Sequence, residues 1–475
     1  MDHTKKKLPL LLLTCILLLS ACGSKDRVDL PPEPEDGVLI YAALNPVDTK
    51  LERSVEKFNE EHADVQIQVR DYSDEDGPQR LLVELAAGRV PDIMEMQRIA
   101  FQDYNDAKNV EAMYFGSPLD ADMSDFYWMP YRQMAQKGYL EDLWPYIEND
   151  PDLGREGVLE APLKAAEVDG GLYMLFGDVS VNTLIGSRDM FGDRWGWTME
   201  EMKEAFAAMP PGATVLQFDA TQYKVFRTLM SPMLDQYVDW ENGQCSFDCE
   251  NFREALQFVN GFPDEFQHTT AEELNRESLD RLRRGKQMLW AYPIYGVMDV
   301  QLISALIADG GRVSFVGYPT TDGSVGSSFY PIRKLAMSSA CQDKEAAWEF
   351  LRQMILPKYD REQISEGEGP RYIPINREDF NNVKRVAQSR GFFPKEKGFG
   401  QEPDRVRVEC HRVTDEEWEQ YEALINSITK VDMYDTNVYN IVWEAAGAYF
   451  AGDKTLDETV ELIQNRATLY VNEQR

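Results

Sequence analysis

A chain of 475 residues with a formal charge of −33 is a poor partner overall for nucleic acid and anionic lipid surfaces. Its length suffices for two or three ordinary domains or two large lobes, each with its own core. Six cysteines are too few for a disulfide scaffold in a chain of this size.

The chain opens on Lys5, Lys6 and Lys7, runs through the apolar stretch Leu8 to Leu19, and reaches Leu19-Ser20-Ala21-Cys22. This is the pattern of an export signal over residues 1–21, too short for a membrane span. Small residues before a cysteine resemble the bacterial lipobox, in which the Cys22 thiol receives a diacylglyceryl group and becomes the new N-terminus. Cys15 leaves with such a signal, so Cys245, Cys249, Cys341 and Cys410 remain as thiols. Cys245 and Cys249 are near enough to bridge if the turn through Ser246-Phe247-Asp248 permits, and a reduced pair fits equally well.

Residues 22–37 are polar and acidic, with Pro31-Pro32-Glu33-Pro34 and no periodic apolar positions, as expected of a flexible tether. Val38 to Leu44 is then an apolar run fit for a buried strand. Asp48-Thr49 is placed to cap a helix with Leu51, Val55 and Phe58 on one face. Val65, Ile67 and Val69 alternate as in a strand. A second helix carries Leu81, Leu82 and Leu85 and stops near Gly88, and Asp92-Ile93-Met94 begins the next strand. This order predicts a parallel α/β sheet with right-handed crossovers, whose ligands sit at the carboxyl ends of strands, where Asn45, Gln97 and Arg98 fall. Further on, Leu279 to Arg284 is a helix ending at Gly285, and Met288 to Tyr292 and Val313 to Tyr318 are strands. Thr455 is placed to cap a last helix with Leu456, Val460, Ile463 and Ala467 along one face.

The motifs of several large enzyme classes are missing: no Gly-x-Ser-x-Gly elbow, His-Glu-x-x-His helix, Gly-x-x-x-x-Gly-Lys-Ser/Thr loop or Gly-x-Gly-x-x-Gly fingerprint. His62, His268 and His411 are dispersed, which favours solvated or structural roles over a metal or base cluster. Asp74-Glu75-Asp76-Gly77 superficially suggests a calcium loop, but its first ligand would be Tyr72 and its bidentate glutamate Val83, so a solvated turn is expected. Aromatics gather at Tyr127-Trp128, Trp195-Gly196-Trp197 and Trp290 to Tyr295. Sugar rings stack on aromatic faces and hydrogen-bond through their hydroxyls, so Trp290, Tyr292 and Tyr295 divide evenly between a sugar platform and the core.

An ordered series of short motifs runs through the chain: Leu51 to Asn59 before the strand at Val65, Ala87-Gly88-Arg-Val-Pro91-Asp92-Ile93, Lys137 to Leu143, Asp169-Gly170-Gly171-Leu172-Tyr173, Gly196 to Glu201, Gly317-Tyr318-Pro319-Thr320 before Asp322-Gly323, and Ala346 to Leu351. The end, from Ala448 through Lys454 to Arg466, looks like a branch common in Gram-positive anaerobes. Over residues 38–475 the chain resembles the extracellular solute-binding proteins, family 1, that serve ABC importers of carbohydrates. The resemblance implies an α/β fold of two lobes, each a mainly parallel sheet flanked by helices, with the ligand in the cleft between them. It divides the chain into 38–176 plus 331–369 and 177–330 plus 370–475, with crossovers near Phe176 to Val181, Tyr330 to Ala336 and Gly369 to Pro374. The family's binding positions fall on Asn45, Gln97, Arg98, Asp178, Ser180, Trp290, Tyr292, Tyr295, Glu368 and Arg371. Two departures stand out: Met96 replaces a tryptophan common among sugar binders, and Phe176-Gly177-Asp178 replaces a proline-containing step. The implied protein is a monomer outside the cell, held to the membrane by lipid on Cys22. It hands a sugar, without chemical change and without cofactor or metal, to permease subunits. The alternatives are a binder of a cationic solute, which needs carboxylates at the contact, and a surface-anchored glycosidase, which needs two acids across the scissile bond.

Overall fold

The computed structural model describes residues 35–74, 76–99, 126–216, 221–264, 281–291, 293–296, 300–301, 313–356, 372–396, 405–409, 411–432 and 435–474. The expected signal, Cys22 and most of the tether lie outside the described residues, as do Cys15, Cys410, His268, Tyr292, Glu368, Arg371 and the side chains of Arg98, Tyr127 and Trp128.

Strand β1 (Val38–Ala43) is apolar along its length, and Leu39 to Leu44 are all buried. A strand with both faces covered needs no alternation, which is why this run is continuous. Helix α1 (Thr49–Glu61) begins where Asp48 Oδ1 accepts from Leu51 N at 2.7 Å, and it buries Leu51 and Phe58 against the sheet. Strand β2 (Gln66–Asp71) returns parallel to β1; helix α2 (Gly77–Ala86), with proline in its first turn, then leads to β3 (Ile93–Glu95), parallel to β1 on its other side. Ahead of α2, the acidic turn expected to be solvated is closed by Arg80, which donates to both oxygens of Asp74 at 2.7 Å. Beyond β3 the chain leaves the sheet, and β4 (Gln97–Ile99) pairs with β5 (Phe126–Trp128).

Strands β6 (Asp178–Asn182) and β7 (Leu184–Ser187) follow each other directly. A capping box of Thr198 and Glu201 starts α3 (Met199–Ala207), and α4 (Glu250–Asn260) precedes β8 (Leu289–Ala291) and β9 (Val313–Phe315). The chain then forms β10 (Ser328–Ile332), β11 (Leu335–Met337), α5 (Lys344–Ile355), β12 (Ile373–Pro374), α6 (Arg377–Ser389) and α7 (Asp415–Ser427). It ends with α8 (Thr436–Phe450) and α9 (Leu456–Glu473), the latter capped by Thr455 as expected.

Three sheets carry the architecture. The first has the order β11-β3-β1-β2, the second β8-β7-β9, and the third β10-β6-β12. The expected parallel pairing holds for β1, β2 and β3, but β11 runs against β3, and β7 runs against both β8 and β9. The reason is common to both sheets. Each reversed strand follows a strand of the third sheet after a one- or two-residue bend, β7 after β6 and β11 after β10, with no crossover helix to restore its direction.

The buried apolar residues form two clusters. The first contains the β1–β3 sheet, Trp348, Phe350, Phe380 and Trp418, together with Val179, Val181, Phe329 and Ile373 of the third sheet; the second contains Trp197, Phe226, Phe247, Phe252, Val442 and Ile463. Phe380, Val386, Trp418 and Leu424 belong to the first cluster, so α6 and α7 pack there and not with the second body, where the sequence division at 370 puts them. The third passage moves accordingly. Leu356 and Ile375, on either side of β12's neighbourhood, are both in the first cluster, whereas Val431 and Val438 fall in different clusters. The chain thus crosses at Lys430 to Asp432, where Phe329 N donates to Lys430 O and Asp432 N to Phe329 O at 2.9 and 2.7 Å. A sequence reading had no means to see this, because the helical pattern of α6 and α7 is identical whichever core they cover.

Candidate functional site

The carboxyl ends of β1 and β3 meet the third sheet, and a set of polar side chains converges there. Glu95 ends β3 and accepts from four donors: Tyr41 Oη (2.9 Å), Leu44 N (2.9 Å), Asn45 N (2.8 Å) and Asn45 Nδ2 (2.7 Å). Burial raises the Glu95 carboxyl above the ordinary glutamate range, opposed by those donors. Asn45 Nδ2 also donates to Gln97 O at 2.8 Å, so the amide of Asn45 is fixed with both of its hydrogens committed inward.

Gln97 links this loop to the third sheet. Its Nε2 donates to Tyr330 Oη at 2.9 Å, and Lys334 Nζ donates to its Oε1. The same ammonium lies 4.4 Å from the centre of the Tyr330 ring, within cation–π range. Lys334 is 3% exposed, and burial pulls its amine down to about 7, with Asp432 acting in the opposite direction. Burial likewise raises the carboxyl of Asp432, whose Oδ2 accepts from Asn182 Nδ2 at 2.8 Å.

Strand periodicity explains how β6 contributes. Val179 and Val181 point into the core, so Asp178, Ser180 and Asn182 occupy the other face. In register, Ser180 stands opposite Tyr330, Asn182 opposite Ser328, and Asp178 opposite Ile332 and Pro374. Burial pushes the Asp178 carboxyl up to about 6, with Lys50 opposing, Asp379 adding to the rise and Arg333 opposing. Gly177 is required here by close approach: a Cβ would stand 1.9 Å from Ile355 O.

Val181 and Ile294 exchange backbone hydrogen bonds at 2.9 and 2.8 Å, which brings the segment after β8 to the same sheet. Tyr295 thereby packs edge-on against Tyr372, ring centres 5.6 Å apart. Trp290, by contrast, lies within β8 at 9% exposure in the apolar core. The structure therefore gathers Asn45, Gln97, Ser180 and Tyr295 around Tyr330 and Tyr372, and sets Asp178 farther along the same face. For Arg98 only the backbone is described, opposite Tyr127.

Sequence reading missed Glu95, Tyr330, Lys334, Tyr372, Asn182 and Asp432. Two of them carried a signal: Glu95 interrupts Ile93-Met94 and Met96, and Lys334 stands directly before Leu335-Ala336-Met337. A single charge in an apolar strand is seldom buried without partners, and here the partners are the site. Together these groups offer donors, acceptors and aromatic edges, a combination that holds a polar small molecule by hydrogen bonds and ring contacts. Cys245 and Cys249 are both free thiols, each raised by burial, packed against the second core.

Comparisons with known proteins agree with this architecture. No curated protein matches the chain. Among solved structures, it is similar to the sugar-binding protein MalE from the phytopathogen Xanthomonas citri, at 13% identity and a TM-score of 0.51, covering 92% of this chain and 98% of that one. It is equally similar to a periplasmic oligogalacturonide binding protein from Yersinia enterocolitica, at 14% identity and a TM-score of 0.51, covering 92% and 99%. At such identities the likeness establishes the two-lobed fold. Family membership rests on the sequence itself: residues 53–378, more than half of the chain, match a single family, and the chain belongs to the bacterial extracellular solute-binding proteins.

Proposed function

We propose that this protein is the lipid-anchored, extracellular substrate-binding component of an ABC importer, reversibly holding a carbohydrate, of oligosaccharide size, between its lobes. The observation that carries the reading is the third sheet. Strands β6 and β10, two passages between the cores, lie side by side, with the third passage at Val431 beside Phe329; Ser180 and Tyr330 stand on these strands, and Asn45, Gln97, Tyr295 and Tyr372 converge on them. Rotation about such a sheet opens and closes a cleft while a ligand bridges both sides, and the closed form is what permease subunits read. The lobes are 38–176 with 331–428 and 177–330 with 432–475, revised at α6 and α7. Arg98, Asp178, Trp290, Tyr292, Glu368 and Arg371 complete the proposed contact set, and lipid on Cys22 holds the monomer to the outer face of the membrane.

A thermal-shift screen of the mature protein against mono- and oligosaccharides, with polyamines as controls, tests this, since a ligand of the folded state raises the melting temperature. A saccharide that shifts it and is recovered unaltered is the expected result. A shift by polyamines alone gives the site to a cationic solute, and recovery of cleaved saccharide makes the protein a glycosidase. With the saccharide in hand, Tyr295→Ala is expected to weaken binding by about 1 kcal/mol, the scale of an aromatic contact. Lipid attachment is tested separately by labelled palmitate, whose incorporation Cys22→Ser abolishes.

A further inference from the structure

A second polar pocket lies between α1 and α5 and shares no residue with the hydrogen-bonded set around Gln97. It is an open surface hollow of about 240 Å³, lined by Thr49, Lys50, Arg53, Ser54, Lys57 and Gln353. The helix period places them. Leu51, Val55 and Phe58 turn toward the core, Glu52, Glu56 and Glu60 follow one another at four-residue spacing on one flank, and Lys50, Arg53, Ser54 and Lys57 share the other. Every lining side chain carries a hydrogen-bond donor, and none is a carboxylate. In a chain with 82 acidic and 49 basic residues, a pocket of this composition runs against the bulk of the sequence.

The cations are only loosely neutralised. Lys57 and Glu61 stand 3.9 Å apart with both side chains largely in solvent, and Arg333, near Lys50, is 3.7 Å from Asp48. No ion-pair partner of Arg53 is present among the described residues. The amine of Lys50 is held below the ordinary lysine range by desolvation first and by the Arg333 guanidinium second, with Asp178 and Asp48 acting in the opposite direction. The backbone end of α1 is not the attraction, because Asp48 already occupies it.

We propose that this pocket binds a phosphate group, supplied either as free inorganic phosphate or as the headgroup of an anionic lipid. A tetrahedral oxyanion matches the donors: the Arg53 guanidinium takes two oxygens in a fork, Lys50 and Lys57 act as point charges, and Thr49 and Gln353 supply neutral donors, the Ser54 hydroxyl being already given to Lys50 O. The lining shares no residue with the ligand contacts proposed at the third sheet, and the two sites meet only where Lys50 acts on Asp178. Its test is calorimetric titration of the mature protein with inorganic phosphate at fixed ionic strength, with sodium chloride as the matched control, beside co-sedimentation with phosphatidylglycerol and phosphatidylcholine vesicles.

Saturable binding of phosphate is expected, weakened about tenfold by Arg53→Ala, the effect of losing one charge-assisted bidentate contact. It is abolished in the variant Lys50→Ala, Arg53→Ala, Lys57→Ala and unchanged by Arg466→Ala, whose guanidinium pairs with Glu444 elsewhere. All three cations are exposed, so folding is preserved and circular dichroism verifies it. Vesicle binding that needs phosphatidylglycerol and disappears in the triple variant identifies the headgroup as the source; phosphate binding without vesicle binding identifies the free ion. Absence of both, or phosphate and vesicle binding that the triple variant retains in full, overturns the proposal.

Discussion

Two charges flank Gln97, and they are held in opposite ways. Glu95 is surrounded by four donors, all from the loop that leaves β1. Lys334 is buried, its ammonium on the Gln97 amide oxygen and over the Tyr330 ring, reaching from the bend after β10 to the end of β3. A charge that organises its own neighbourhood stabilises it, whereas a charge transferred from water to a few contacts strains it. The first arrangement is architecture for the loop that carries Asn45. The second spends stability to place an ammonium where two passages of the chain meet.

The comparison is broken most severely by Glu95→Ala. Leu44 N, Asn45 N, Asn45 Nδ2 and Tyr41 Oη all lose their acceptor, and a loss of about 3 kcal/mol is expected from chemical denaturation, given 1–3 kcal/mol for each buried donor left unpaired and partial rescue by water. Lys334→Met is expected to act in the other direction. It leaves Gln97 Oε1 without a donor but removes a desolvated charge, for a net gain of about 1–2 kcal/mol at pH 6.

The pH dependence sharpens the contrast. An unfolded lysine titrates near 10.4 and the folded Lys334 near 7, so between those values the unfolded chain holds a proton that the native state lacks. The contribution of Lys334 to stability therefore rises with pH from about 7 to about 10 and is smallest below 7. The advantage of Lys334→Met is expected to close over that window, read as converging denaturation midpoints. Asp178 runs the other way: its carboxyl titrates near 6 in the fold against an ordinary 3.8, so the native state keeps a proton the unfolded chain gives up. Its contribution is complete below about 4 and is lost as pH rises through 6. Asp178→Asn is expected to stabilise the protein by about 1 kcal/mol at pH 7, discounted for partial exposure, and by nothing at pH 3.5.

What the sequence made legible was periodic or local. The buried run of β1, the Asp48 and Thr455 caps and the β1-α1-β2-α2-β3 order follow from spacing alone, because backbone geometry imposes the periods. The same reasoning put Asn45 and Gln97 at strand ends, where they touch. The reversed strands β7 and β11 were not legible, since a short strand after a tight bend has no pattern that states its direction. Lys334 and Asp432 were hidden for a different reason. Asp432 meets Asn182 across 250 residues of chain, and Lys334 meets Gln97 across 237, distances over which composition carries no register. The packing of α6 and α7 was illegible for the same reason: their apolar faces declare that they cover a core, not which one.

The smallest expected effect tests whether the two charges form one unit through Gln97. Tyr330→Phe keeps the ring beneath Lys334 and removes only the hydroxyl that accepts from Gln97 Nε2, at a cost of about 0.5–1 kcal/mol for one net hydrogen bond. If Gln97 transmits between the loop and the third sheet, its amide reorients when either end is lost. The effects of Tyr330→Phe and Lys334→Met then fail to add, since each already frees one end of the same side chain. Residues farther apart than about 7–10 Å and sharing no partner add within about 0.3–0.5 kcal/mol, so non-additivity beyond that margin in a double-mutant cycle marks a coupled unit. Additivity within it makes Gln97 a spacer with two unrelated contacts, and the two charges then only happen to be neighbours.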